Sequence, residues 1–272
     1  MSGVIELIDT HCHLHEIEKA LTPTHSKWFA DKAERTVETV LGAARDAGVD
    51  RVICIGTTVA DSALAIEVAT AHDGVLASIG IHPHEAKLHR DIEVQRNFAA
   101  LAVQKKVVVV GECGLDYYYN HSPREDQEAL LRFQIELALE HNLPLSFHVR
   151  DAFDDFWQIF DSYKGVRGVL HSFTDTLDNL AKALERGLMI GVNGIATFAR
   201  DEAKSVIYRT IPQRALLLET DAPYLTPVPH RGKVCESKHV RVTAEFLSEL
   251  RGESLEELAA ATTANAEQLF RL

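Results

Sequence analysis

Leu7-Ile8-Asp9-Thr10-His11-Cys12-His13 is the stretch from which the chain is best read. An apolar run, Val4 to Ile8, ends abruptly in two histidines one residue apart. On an extended strand end, residues i and i+2 point to the same side, so both imidazoles aim at one point. Such a point is the start of a metal site. Later apolar runs end in the same manner, in Glu112, His148, His171 and Asp221.

These runs belong to a regular alternation. Strand candidates are Val4–Asp9, Arg51–Gly56, Val75–Gly80, Lys106–Glu112, Leu143–His148, Gly168–His171, Leu188–Val192 and Ala215–Glu219. Val107-Val108-Val109-Val110 is continuous rather than alternating, as expected of a parallel strand covered on both faces. Helical stretches between them carry capping-box spacings at Thr58–Asp61, Ser122–Glu125 and Ser254–Glu257. After Pro123, Leu130, Phe133, Leu137 and His141 fall on one helical face. Eight strands, each followed by a helix, predict an α/β (β/α)8 TIM barrel with an extra C-terminal helix. An open doubly wound sheet is disfavoured, because no Gly-x-Gly-x-x-Gly turn follows an early strand. Residues 1–272 are expected to form a single metal-dependent hydrolase barrel domain.

Composition narrows the function. The 272 residues are 46% hydrophobic, enough for one large core, and 28 basic against 40 acidic residues give a net charge of −12. Such a chain has no long-range attraction for a phosphate backbone, so an anionic substrate must be held by bound cations or a few loop arginines. The four cysteines are scattered and form no Cys-x-x-Cys, which points to a reduced, cytoplasmic chain. No apolar run approaches the roughly 20 residues of a membrane span, and the N-terminus has no signal-peptide pattern. No obligatory protein partner is implied.

A barrel gathers strand C-termini on one face. His11, His13, Glu112, His148, His171 and Asp221 are thereby expected around one mouth. Four imidazoles and two carboxylates exceed one tetrahedral site but suit two divalent ions, with Glu112 as the bridge. The ligand chemistry favours Zn2+ or Mn2+ over Mg2+.

The motifs Asp9-Thr10-His11-Cys12-His13, Gly80-Ile81-His82-Pro83-His84, Gly111-Glu112-Cys113-Gly114-Leu115-Asp116-Tyr117, Leu143 to Arg150, His171-Ser172-Phe173, Glu219 to Leu225 and Pro229 to Lys233 span nearly the whole chain. Jointly they resemble the TatD-related metal-dependent deoxyribonucleases of the amidohydrolase superfamily. The resemblance implies phosphodiester hydrolysis, often exonucleolytic from the 3′ end of single-stranded DNA or RNA. It also implies Mg2+-supported activity and the six residues above as ligands. A metal-activated water would attack, with Asp221 as general base and Glu112 the shared catalytic carboxylate. One departure stands out: Val234-Cys235-Glu236-Ser237 replaces the family's Asn-x-Pro element, with Cys235 where Asn is expected. That departure and the acidic charge keep open an alternative, ester or amide hydrolysis of a lactone or an aminoacylated nucleic acid.

Among neighbouring residues, His82 is expected to reach the site as a substrate or proton-transfer group. Arg150, two residues past His148, offers either phosphate binding or a structural ion pair. Arg231 is either a substrate contact or part of a solvated basic turn. Asp9 either orients a ligand or caps a turn. Asp116 and Tyr117 are expected to position Glu112, and His84 is expected to be a loop residue. His15 and His121 are expected to be ordinary surface or helix residues, Cys12 and Cys113 buried packing, and Trp28 helix packing.

Overall fold

The computed structural model describes residues 5–19, 22–199 and 202–272. Its strands are β1 (Leu7–Cys12), β2 (Val49–Cys54), β3 (Val75–Ile79), β4 (Val107–Asp116), β5 (Leu145–Arg150), β6 (Gly168–Leu170), β7 (Met189–Val192) and β8 (Leu216–Leu218). They make one sheet ordered β1 through β8. A helix follows each in turn: Val37–Asp46, Val59–Ala71, Ile92–Ala99, Arg124–Glu140, Phe153–Asp161, Leu177–Glu185, Glu202–Thr210 and Val240–Arg251. Leu255–Phe270 is the extra C-terminal helix. This is the (β/α)8 TIM-barrel class. Among the described residues no helix is long and apolar enough to cross a membrane.

The chain divides into two compact units, Met1–Cys54 with Ser172–Gln268, and Ile55–His171 with Leu269–Leu272. In the first, β1 pairs with β2 and β7 with β8, all parallel. The chain leaving β8 is tied to the end of β1: Asp221 N donates to His11 O at 2.8 Å, and His13 N donates to Ala222 O at 2.8 Å. Leu7, Ile53, Leu216 and Leu217 are fully buried here. In the second unit β3, β4, β5 and β6 pair in parallel in that order. Phe147 of β5 packs edge-on against Phe156 at 5.1 Å and Phe160 at 6.0 Å.

Two register irregularities matter for function. Asp9 faces Val52 and Cys12 faces Cys54, so three steps on β1 oppose two on β2. Val110 faces Leu145 and Cys113 faces Phe147, again three against two. Each is a one-residue bulge, which re-aims the side chains it carries. His11 lies in the first and Glu112 in the second. The strand ends also run past their sequence limits: β1 extends to Cys12 rather than Asp9, and β4 to Asp116 rather than Glu112.

The cap predictions divide. Ser254 and Glu257 form the reciprocal box, and Thr58 Oγ1 accepts from Asp61 N at 3.1 Å. Ser122 does not cap: Pro123 holds the N-cap position, while Ser122 Oγ donates to His84 O at 2.7 Å and accepts from Lys87 N at 3.1 Å. The following helix buries Leu130, Leu131, Gln134, Ile135, Leu137 and Ala138. That is a wider face than the expected stripe; Phe133 is only half-buried and His141 is the C-cap, where periodicity no longer applies.

Candidate metal centre

In the first unit, His11 and His13 flank Cys12 at the bulged end of β1, and Asp221 follows β8. His13 Nε2 lies 3.3 Å and His11 Nε2 3.7 Å from Asp221 Oδ1. One ligand atom from each lies within 4.8 Å of those of the others. Asp221 has φ of +65°. Aspartate tolerates the left-handed region better than most residues, yet such conformations concentrate where a side chain must be aimed. The backbone bond from Asp221 N to His11 O fixes both residues together.

Asp9 is buried behind this group. Its carboxylate accepts from Thr220 N at 2.9 Å, Thr220 Oγ1 at 2.7 Å and His11 N at 3.3 Å. Burial pushes its pKa up to about 7, against the lowering effect of these bonds. It thereby ties the end of β1 to the segment bearing Asp221. Trp28 is fully buried and donates from Nε1 to His13 O at 3.1 Å. Cys12 is buried in register with Cys54.

In the second unit, Glu112 is surrounded by imidazoles. His148 Nδ1 lies 2.8 Å from Glu112 Oε1, with His82 Nε2 at 3.7 Å and His171 Nε2 at 3.9 Å. The other nitrogen of His148, Nε2, lies 2.9 Å from Asp116 Oδ2. Burial disfavours a charged His148, but its bonds with Asp116 and Glu112 prevail and raise its pKa to about 9. Burial alone would raise Asp116; the bond with His148 outweighs it and holds that carboxyl well below the usual carboxylate range.

His82 differs from His148. Its Nδ1 accepts from His84 N at 3.2 Å. Burial, opposed by Glu112, drives its pKa down to about 3, so the ring is neutral near pH 7. A neutral ring accepting at Nδ1 carries its proton on Nε2. That nitrogen lies 3.7 Å from Glu112 Oε1, and His82, Glu112 and His148 each place a ligand atom within 4.8 Å of the others.

The donor sets fit divalent cations. His11, His13 and Asp221 form one set, and Glu112, His82 and His148 the other, with His171 Nε2 3.9 Å from Glu112 Oε1. Each offers a carboxylate and two imidazoles at close range, the ligands borderline divalent ions prefer. His148 shows the usual support for such a ligand, its second ring nitrogen held by a carboxylate.

The other expected residues have the following contacts. Arg150 stacks its guanidinium over Tyr118 at 4.2 Å and Tyr119 at 4.8 Å. Arg231 lies 5.0 Å over the ring of Phe198. His84 Nε2 lies 3.1 Å from Asp116 Oδ2, and its ring meets those of His82 and His121. From the sequence, His84 is expected to be a loop residue and His121 an ordinary surface or helix residue, whereas their rings meet at 4.6 Å beside Asp116. The signal was local: Gly114 through His121 concentrates three tyrosines and a histidine immediately after a site strand. Cys235, at the departure from the family pattern, is fully buried, and its N donates to Pro223 O at 3.1 Å.

A (β/α)8 chain with these carboxylate–imidazole sets is of the metal-dependent hydrolase class. The chain belongs to the TatD related DNase family, which matches residues 8–271. It is 34% identical over 268 residues to the metal-dependent hydrolase YabD of Bacillus subtilis, covering 98% of this chain and 99% of that one. It is 35% identical over 249 residues to the 3′-5′ ssDNA/RNA exonuclease TatD of Pantoea ananatis, covering 86% and 93%. Among solved structures, YJJV, a TatD homolog from Escherichia coli K12, superposes with a TM-score of 0.86 at 28% identity, covering 99% of this chain and all of that one.

Proposed function

We propose that this hydrolase is a phosphodiesterase that removes nucleotides from the 3′ end of single-stranded DNA or RNA, using two divalent cations. The observation that carries the reading is the close His11/His13/Asp221 group together with Glu112 and the imidazoles that face it, His82, His148 and His171. Relatives named as 3′-5′ ssDNA/RNA exonucleases give the substrate class.

When bound, the ions neutralise charge on phosphate oxygens and lower the proton affinity of water. The chain's own groups supply the rest. Asp221 accepts the proton of the attacking water and returns it to the leaving oxygen. Glu112 holds charge against both His148 and His171. Asp116 orients His148 so that Nδ1 faces the reaction. His82 donates Nε2–H to a non-bridging oxygen, a neutral donor that needs no proton rearrangement at the moment of reaction. Arg231 adds a cation from the loop after β8.

A 3′-labelled single-stranded oligonucleotide assayed with Mg2+, Mn2+, Zn2+ or chelator tests the reading. Loss of the 3′ label with divalent ion, abolished by chelator and by Asp221→Asn, is expected. No cleavage with any ion, alongside turnover of a lactone or aminoacyl ester, would overturn it in favour of carbonyl chemistry.

A further inference from the structure

The Tyr118–Tyr119–His121 segment lies beside the Glu112–His148 cluster and takes no part in the chemistry above. Tyr118 is 58% and Tyr119 51% exposed; they are the two aromatics among the exposed large apolar side chains of the described residues. Their rings meet edge to face at 4.8 Å. Tyr119 stacks on His121 with centroids 5.7 Å apart and planes only 8° from parallel. Arg150 lies over both tyrosines.

This surface is built rather than incidental. Tyr119 N donates to Asp116 Oδ1 at 2.8 Å, while Oδ2 of the same carboxylate holds His148. Tyr117 N donates to Arg150 O at 3.0 Å. Ring contacts run without a break from His148 to His82 at 4.6 Å, His82 to His84 at 4.3 Å and His84 to Tyr119 at 5.6 Å. One buried carboxylate therefore fixes both a candidate metal ligand and the exposed aromatic rim.

Taking the phosphodiesterase reading as its basis, we infer that Tyr118, Tyr119, His121 and Arg150 form a stacking platform for unpaired bases of a single-stranded oligonucleotide. Every base has a π-face, so such a platform binds without reading sequence. Arg150 contributes a cation that stacks and that faces phosphate. The chain's net charge of −12 repels a polyanion, so affinity must come from stacking more than from phosphate neutralisation. Two features follow: binding depends on the presence of bases, and it depends weakly on salt. With about one phosphate neutralised, the slope of log affinity against log salt for a single strand is roughly −0.7.

Fluorescence anisotropy in chelator, where no hydrolysis occurs, tests this directly. A labelled thymidine decamer is expected to bind wild type about tenfold more tightly than an abasic decamer of equal length, the order expected for one stacked base. Tyr119→Leu is expected to remove that preference. Tyr118→Leu, at the more exposed position, is a second variant that keeps the test open if Tyr119→Leu fails to fold. Equal binding of the two decamers by wild type would overturn the platform. So would retention of full base dependence in Tyr118→Leu and Tyr119→Leu of native circular dichroism, or a steep salt slope of roughly −3 or beyond, which would assign affinity to phosphates. The assay reads binding alone, so its failure is separate from failure of the 3′-label cleavage assay, which tests the phosphodiesterase reading.

Discussion

Asp116 Oδ2 lies 2.9 Å from His148 Nε2, on the far side of the ring from Glu112. Under the proposed two-ion scheme, this contact leaves Nδ1 to meet a cation. It holds the imidazole between two carboxylates. Asp116→Asn keeps the shape but removes the charge that favours the required tautomer. Removing such a supporting group typically weakens metal affinity by about 10- to 100-fold. Titration calorimetry with Mn2+ should show that loss.

The pH dependence follows from the same contact. Without metal, the His148 pKa is raised to about 9, above its ordinary value of 6.5. Its contribution to the metal-free fold is full below about 6.5 and is lost as pH rises through about 9. A cation must displace this proton. Proton release on metal binding is therefore expected at pH 7 and should vanish above about pH 9. Calorimetry in buffers of different ionisation enthalpy measures it.

His82 carries the opposite sign. Its pKa is lowered to about 3 by burial, so its stabilising share is present above about 6.5 and is lost as pH falls toward 3. His82→Ala removes the Nε2 donor proposed to meet a non-bridging oxygen. It should lower kcat by on the order of 100-fold, the scale for one preorganised donor, with metal content unchanged by elemental analysis.

Gly114 has φ of +149°, and a Cβ there would run into the His148 carbonyl oxygen. Gly114→Ala should therefore destabilise the protein by more than about 1 kcal/mol, because the residue can neither relax its backbone nor clear its neighbour. A lowered Tm with impaired metal retention is the expected result.

The eight-strand alternation was legible because buried parallel strands write continuous Val, Ile and Leu runs, as in Val107 to Val110. His11 and His13 were legible from their spacing. The reason they and Glu112 are aimed as they are was not. The bulges at His11 and Glu112 change register without leaving a mark in hydrophobic pattern. Nor could spacing choose between the roles open to Arg150, since its stacking on Tyr118 and Tyr119 depends on where the loop after β4 folds back. Asp116 was expected to position Glu112; its direct contact is with His148, one strand over. Ser122 had the right cap spacing but lost that role to a tertiary contact with His84.

Mn2+ titration of metal-free protein tests the central claim most directly, with wild type, His13→Ala and Glu112→Ala compared. The account predicts two ions per wild-type chain, weakened or lost binding in each variant, and no phosphodiester hydrolysis by Glu112→Ala. Full ion stoichiometry and full activity in Glu112→Ala would contradict it.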